Sequence, residues 1–151
     1  MEICRHYQTG FHTHSNESKF DVEETVRRFN IRPVEALESF GLLDAPHVLL
    51  AHCVWLSDHE IELLAGHHTG VAHNPVSNMK LASGAARVED MLAYDIAVGL
   101  GTDGEKENNN LDMFEEMKTA SLLAKLSKLD ASALDAWTVC RMATITGARA
   151  L

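Results

Sequence analysis

Short apolar runs recur along this chain, separated by stretches with helical spacing of apolar positions. Tyr7 to His14 reads as a strand opening into a polar turn, with Gly10 inside it. Asp21 to Phe29 reads as a helix with Val22, Val26 and Phe29 on one face. Pro33 starts a second helical stretch, Val34 to Phe40, and Gly41 supplies a left-handed stop. Val48-Leu49-Leu50-Ala51-His52 is a continuous apolar run of the kind that suits a strand buried on both faces. Ser57-Asp58-His59-Glu60 is a capping box, which predicts a helix from about Asp58 to Ala65. Val71-Ala72-His73 is a short strand closed by the turn-forming Asn74-Pro75. Val76 to Ala86, small and polar, reads as a long loop. A helix over Val88 to Tyr94, a strand over Ile96 to Gly101 and a polar loop over Asp103 to Asn110 follow. Leu111 to Leu126 is amphipathic, with Leu111, Phe114, Met117, Leu122 and Leu126 near helical spacing. Two short helices, Ala133 to Met142 and Thr144 to Leu151, complete the chain.

Strand and helix thus alternate four times before the closing helices. That order predicts an α/β fold with parallel strands and right-handed crossovers. Four strands cannot close an eight-stranded (β/α)8 barrel, and 151 residues fall well short of the roughly 250 of a complete one. One domain over 1–151 is the simplest reading, amounting to a partial barrel. The net charge of -9 argues against a nucleic-acid surface, which is normally basic. No apolar run approaches the roughly 18 residues that span a membrane, and the first five residues hold no signal-peptide core. Cys4, Cys53 and Cys140 are odd in number and far apart, which suits reduced thiols in the cytoplasm.

The ends of the predicted strands carry the chemistry. His14 and Glu17 form a His-x-x-Glu pair just past the first. A neutral imidazole binds metals and a nearby carboxylate moves protons; the alternative is a surface histidine in a polar turn. His52 ends the second strand and reads either as acid, base or electrophile, or as a core histidine satisfied by backbone. His73 ends the third strand, either lining a site or capping the Asn-Pro turn, and Asn78, Lys80 and Ser83 follow within reach of a substrate. Asp103 sits between glycines in Gly101-Thr102-Asp103-Gly104. It can hold a metal and take a proton from activated water, or serve as an Asx-turn residue. Four consecutive strand ends carrying His, His, His and Asp point more strongly than any one of them, because a barrel gathers its catalytic groups at that end. His67-His68 precedes a strand and reads as a solvated turn on the opposite side.

Several stretches together resemble the amidohydrolase superfamily. They are His12-Thr13-His14-Ser15-Asn16-Glu17, Ala51-His52-Cys53-Val54, Val71-Ala72-His73-Asn74-Pro75 with Ser77-Asn78 and Lys80-Leu81, Gly101-Thr102-Asp103-Gly104, Asn108 to Met113, Glu115-Glu116-Met117 and Arg141 to Thr144. The resemblance is to its branch of 5-methylthioadenosine/S-adenosylhomocysteine deaminases and triazine-type chlorohydrolases, and it spans nearly the whole chain. It implies that the strands are five to eight of a barrel. It makes His14 and Asp103 metal ligands, Asp103 also the general base, Glu17 the proton donor to a substrate ring nitrogen, and His52 the group that orients or polarises water. Glu17, His52, His73 and Asn78 would contact substrate. The cofactor implied is one divalent metal, zinc first and iron second. The reaction implied is hydrolysis of a C–N bond by metal-activated water on a heteroaromatic small molecule such as an adenosine thioether, with dehalogenation of a triazine-like ring as a variant. The family's first-strand His-x-His pair and its β-sandwich have no counterpart, and Trp55 stands where relatives often carry a second histidine. The alternative is therefore a truncated, non-catalytic half-barrel, inactive alone, that self-associates or works only with a separate N-terminal half.

Overall fold

The computed structural model describes residues 2–151; Met1, part of the stretch read for an export signal, lies outside them. The chain opens with α1 (Glu2–Tyr7), which takes in Tyr7, the first residue of the expected strand, and extended backbone begins only at β1 (Phe11–Ser15). The delay has a local cause. Gly10 lies against the backbone and Cβ of His47, too close for any side chain, and Phe11 donates its N–H to His47 O at 3.0 Å. Strand pairing can start only past that contact.

Two helices follow, α2 (Lys19–Phe29) and α3 (Pro33–Ser39), then β2 (Val48–His52), α4 (Asp58–Gly66) and β3 (Gly70–His73). The Ser57 capping box is present, and Gly41 takes φ 65° past the end of α3. α5 (Pro75–Lys80) occupies the expected long loop; α6 (Val88–Ala93) and β4 (Val98–Leu100) come next. α7 (Glu105–Asn108), α8 (Met113–Lys128), α9 (Ala136–Met142) and α10 (Ile145–Ala150) complete the fold. The segment 76–86 lacks helical periodicity, so its helix depends on Pro75 at the first turn and on a distant carboxylate that accepts from Val76 N–H.

The four strands form one parallel sheet in the order β1-β2-β3-β4. Sequential neighbours joined through helices are what consecutive strands of a barrel look like. Leu50, Val71 and Val98 point to the helix side and are fully buried with Val34, Leu43, Ile61, Leu64 and Met91. The other face carries glycines because α10 lies directly on it. A Cβ on Gly99 would sit 2.9 Å from Gly147 Cα, and one on Gly70 would overlap the Ala150 backbone.

Much of the apolar stripe of α8 faces solvent, although Met117 packs on the core. Glu116 and Ala120 are buried, whereas Phe114 is 79% and Leu126 71% exposed. The helix packs on α5, α9 and β4 through a narrow surface where small residues fit. Periodicity gives the helix but not the side that turns inward. On α2 likewise only Val22 is buried; Phe29 meets Phe40 edge to face at 5.9 Å.

One buried carboxylate ties the first half together. Glu60 is fully buried, yet it accepts from Asn16 Nδ2 (2.9 Å), Val34 N (3.1 Å), Ser57 N (2.9 Å) and Arg32 Nε (2.7 Å). It thereby fixes the loop after β1, the start of α3 and the start of α4 relative to one another. Breaking a buried charged network costs about 3–5 kcal/mol. Glu60→Ala is expected to lose that much, read from the urea midpoint, and Glu60→Gln less.

His73, at the end of β3, is 2% exposed. Burial, with a smaller contribution from His52, lowers its pKa from 6.5 to about 4. Between those values the unfolded chain binds a proton that the folded chain refuses. Stability is therefore complete above pH 6.5 and falls as pH drops toward 4, by about 3 kcal/mol for this group. His73→Gln is expected to flatten the pH 7 to pH 4.5 difference in urea midpoint; an equally steep loss in that variant would remove His73 as its source.

Candidate metal centre at the strand ends

β1 delivers His14, β2 delivers His52, and the loop after β4 delivers Asp103 to one place. One ligand-capable atom from each lies within 4.8 Å of the others. The His14 and His52 rings stack with centroids 5.3 Å apart and planes 18° from parallel. His52 Nε2 is 3.7 Å from Asp103 Oδ2 and 3.8 Å from Glu17 Oε2. These separations are too long for direct hydrogen bonds, and they aim two carboxylates and an imidazole at a common point. His14 is exposed, Asp103 and Glu17 are partly buried, and His52 is buried.

The backbone is bent to achieve this. His52 has φ 73° and Cys53 φ 49°, and Cys53 N–H reaches Ala51 O at 3.1 Å, the two-residue bond of a γ-turn. Such conformations cost on the order of 1–3 kcal/mol for non-glycine residues. The same N–H also reaches Ser15 O at 3.0 Å, and Asn16 O accepts from Val54 N and Trp55 N, which hold the turn. Asp103 has φ 60° and accepts from Gly104 N at 2.8 Å.

Two residues of α5 set the chemical state of the cluster. Asn78 Oδ1 lies 2.9 Å from His52 Nδ1. An amide oxygen only accepts, so Nδ1 carries the proton of this bond and Nε2 is the ring atom turned toward Asp103 and Glu17. Ser77 Oγ donates to Asp103 Oδ2 at 2.6 Å. Burial pushes the Asp103 pKa up, but the Ser77 hydroxyl, the Gly104 N–H and the imidazoles of His52 and His14 outweigh it and leave the carboxyl below its ordinary value. Ser77 carries no role in the sequence reading. The signal was present in Pro75-x-Ser77-Asn78, because a proline-initiated turn places both side chains beside each other.

The other candidate residues fall around this cluster. His73 and Asn78 are buried, and among the described residues His73 Nδ1 and Asn78 Nδ2 have no hydrogen-bond partner. Lys80 instead bonds Lys106 O and Asn109 Oδ1, tying α5 to the segment after β4. Ser83 offers its carbonyl to Trp55 Nε1 at 2.6 Å, and Lys19 Nζ sits 4.7 Å over the Trp55 ring. His67 lies in the turn before β3, between Glu38 (3.8 Å) and Asp44 (3.3 Å). Cys53 is fully buried beside His52, and burial, with Glu60 nearby, pushes its thiol pKa far up.

The donor set suits a divalent cation. Imidazole nitrogen with its lone pair free and an ionised carboxylate are ligands for zinc and for iron alike. His52 joins His14 and Asp103 in that geometry, so three donors converge where two are expected from the resemblance.

Known proteins resemble this chain along nearly its whole length. The chain is 45% identical over 149 residues to the 5'-deoxyadenosine deaminase of Methanobrevibacter smithii, covering 99% of this chain and 34% of that one. It is 46% identical over 151 residues to the 5-methylthioadenosine/S-adenosylhomocysteine deaminase of Syntrophomonas wolfei, covering 100% and 35%. Among solved structures, a zinc-bound adenosine deaminase from Xanthomonas campestris superposes with TM-score 0.93 at 39% identity, covering 99% of this chain and 34% of that one. The chain thus spans about a third of the length of these relatives. The sequence pattern of the amidohydrolase family matches residues 1–151, and with the parallel strands and the His-His-Asp cluster at their ends, this chain belongs to that family.

Proposed function

We propose that the chain supplies strands five to eight of a metal-dependent deaminase that hydrolyses a C–N bond on an adenosine-type ring. The observation that carries this reading is the convergence of His14, His52 and Asp103, with Glu17 on the flank. The relatives' names, both deaminases of adenosine-derived compounds, support the substrate class.

His14 and Asp103 would hold the cation, with His52 Nε2 beside them facing the water bound there; zinc is favoured by the zinc-bound neighbour, with iron as the alternative. A bound divalent ion lowers the pKa of water toward neutrality. Asp103, ionised at neutral pH, takes the proton of the attacking water. His52 orients that water through Nε2. Glu17 gives a proton to a ring nitrogen, which makes the adjacent ring carbon electrophilic. The water oxygen bonds to that carbon, Asp103 passes its proton to the exocyclic nitrogen, the C–N bond breaks with loss of ammonia, and the remaining hydroxyl proton returns to Glu17 as the ring carbonyl forms. His73 Nδ1 and Asn78 Nδ2 are the buried polar atoms that a ring edge could satisfy.

The open sheet favours a second reading for the chain by itself. β1 and β4 are edge strands, and Phe114, Leu122 and Leu126 are exposed. Unpaired edges and apolar faces call for a covering partner. Turnover then belongs to an assembly in which further barrel strands complete the site, through a separate half or self-association.

Two measurements test these readings. The isolated chain is expected to bind zinc weakly, with Asp103→Asn reducing affinity at least tenfold by calorimetry. Tight stoichiometric zinc in a monomer would show that no partner is needed. A chimera in which this chain replaces the matching third of the M. smithii deaminase is expected to release ammonia from 5'-deoxyadenosine, and Asp103→Asn to lower that rate by 10³ or more. A folded, zinc-loaded chimera silent on adenosine-type substrates would overturn the proposed function.

A further inference from the structure

Helix α5 carries both groups that tune the cluster, yet no N-cap side chain bonds its first turn. Pro75 has no N–H, and Asn74 at the N-cap makes no side-chain capping bond. The first turn of a helix leaves donors that must be satisfied elsewhere. Here the acceptor comes from a helix forty residues on. Glu116 of α8 is fully buried, and its Oε2 accepts from Val76 N at 3.2 Å. Its Oε1 accepts from Asn108 Nδ2, while Asn108 Oδ1 accepts from Leu111 N at 2.8 Å. The carboxylate therefore joins α5, the end of α7 and the start of α8. The two residues after Val76 are Ser77, on Asp103, and Asn78, on His52.

We propose that Glu116 is a positioning residue for the metal centre: it caps α5 from α8 and so fixes the Ser77 hydroxyl on Asp103 and the Asn78 oxygen on His52. This rests on reading His14, His52 and Asp103 as a hydrolytic metal site. The charge is needed because two donors face the two oxygens. Glutamine would keep the volume but turn an NH₂ toward one of them, and a buried donor without an acceptor is costly. The side chain of neighbouring Glu115 is exposed and accepts from Asn110 Nδ2, so it serves as the control.

The test uses the 151-residue chain and cobalt(II) alone as the metal probe. Glu116→Gln is compared with Glu115→Gln and with Val76→Pro, which removes the N–H that Glu116 accepts at a helix position tolerant of proline. In folded Glu116→Gln and Val76→Pro, the Asn78 amide is expected to exchange at least tenfold faster. The metal-free His52 ring should lose its fixed Nδ1–H tautomer in ¹⁵N spectra, and the cobalt dissociation constant should rise about tenfold. Glu115→Gln should change none of these. A folded Glu116→Gln with the wild-type tautomer and cobalt affinity overturns the proposal. Should Glu116→Gln fail to fold, Val76→Pro decides by the same readouts. Should the wild-type chain bind no cobalt, the metal reading fails separately, and the His52 tautomer still decides the role of Glu116.

Discussion

A carboxylate taken out of water must be met by donors that cannot drift away, because no solvent remains to replace them. Glu60 meets four such groups, from the loop after β1 and from the starts of α3 and α4. The arrangement of those elements is therefore not a matter of apolar packing alone. Asn16, one of the four, also accepts from the backbone just past His52. A constraint set deep on the helix side of the sheet thus reaches the turn that aims the central imidazole.

The strand ends need that support. The sharp turn at His52 and the left-handed backbone at Asp103 are unfavourable for residues with side chains, and they persist only where surrounding bonds over-determine them. Glu60 governs the β1 and β2 side of the site, and Glu116 meets α5 and α7 on the β3 and β4 side. The pair divides the work of rigidity: one holds segments that follow the strands of His14 and His52, the other the short helix that touches His52 and Asp103.

Much of this was legible in the sequence, for a physical reason. A continuous apolar run has few structural choices, and a histidine or aspartate directly after it must emerge at the strand's end. His14, His52, His73 and Asp103 were found that way. Glu60 was visible only as a capping-box member, since a sequence does not show that a charge is buried. Ser77 and Glu116 were hidden because their roles depend on a helix, α5, whose own sequence lacks periodicity and whose start is stabilised from α8. The facing of α8 was hidden for a related reason. Its buried side is chosen by the close approach of α5 and β4, which accommodates Ala120 better than Phe114 or Leu126.

The buried thiol of Cys53 follows from the same turn. It stands one residue from His52, where a thiolate would be a softer and stronger metal ligand than any group in the cluster. Burial keeps it protonated, and a protonated sulfur is a poor ligand and a poor nucleophile. The Cys53 sulfur belongs to the apolar core and faces Leu50 O at 4.0 Å, so a reagent in solvent reaches it only when the turn at His52 opens.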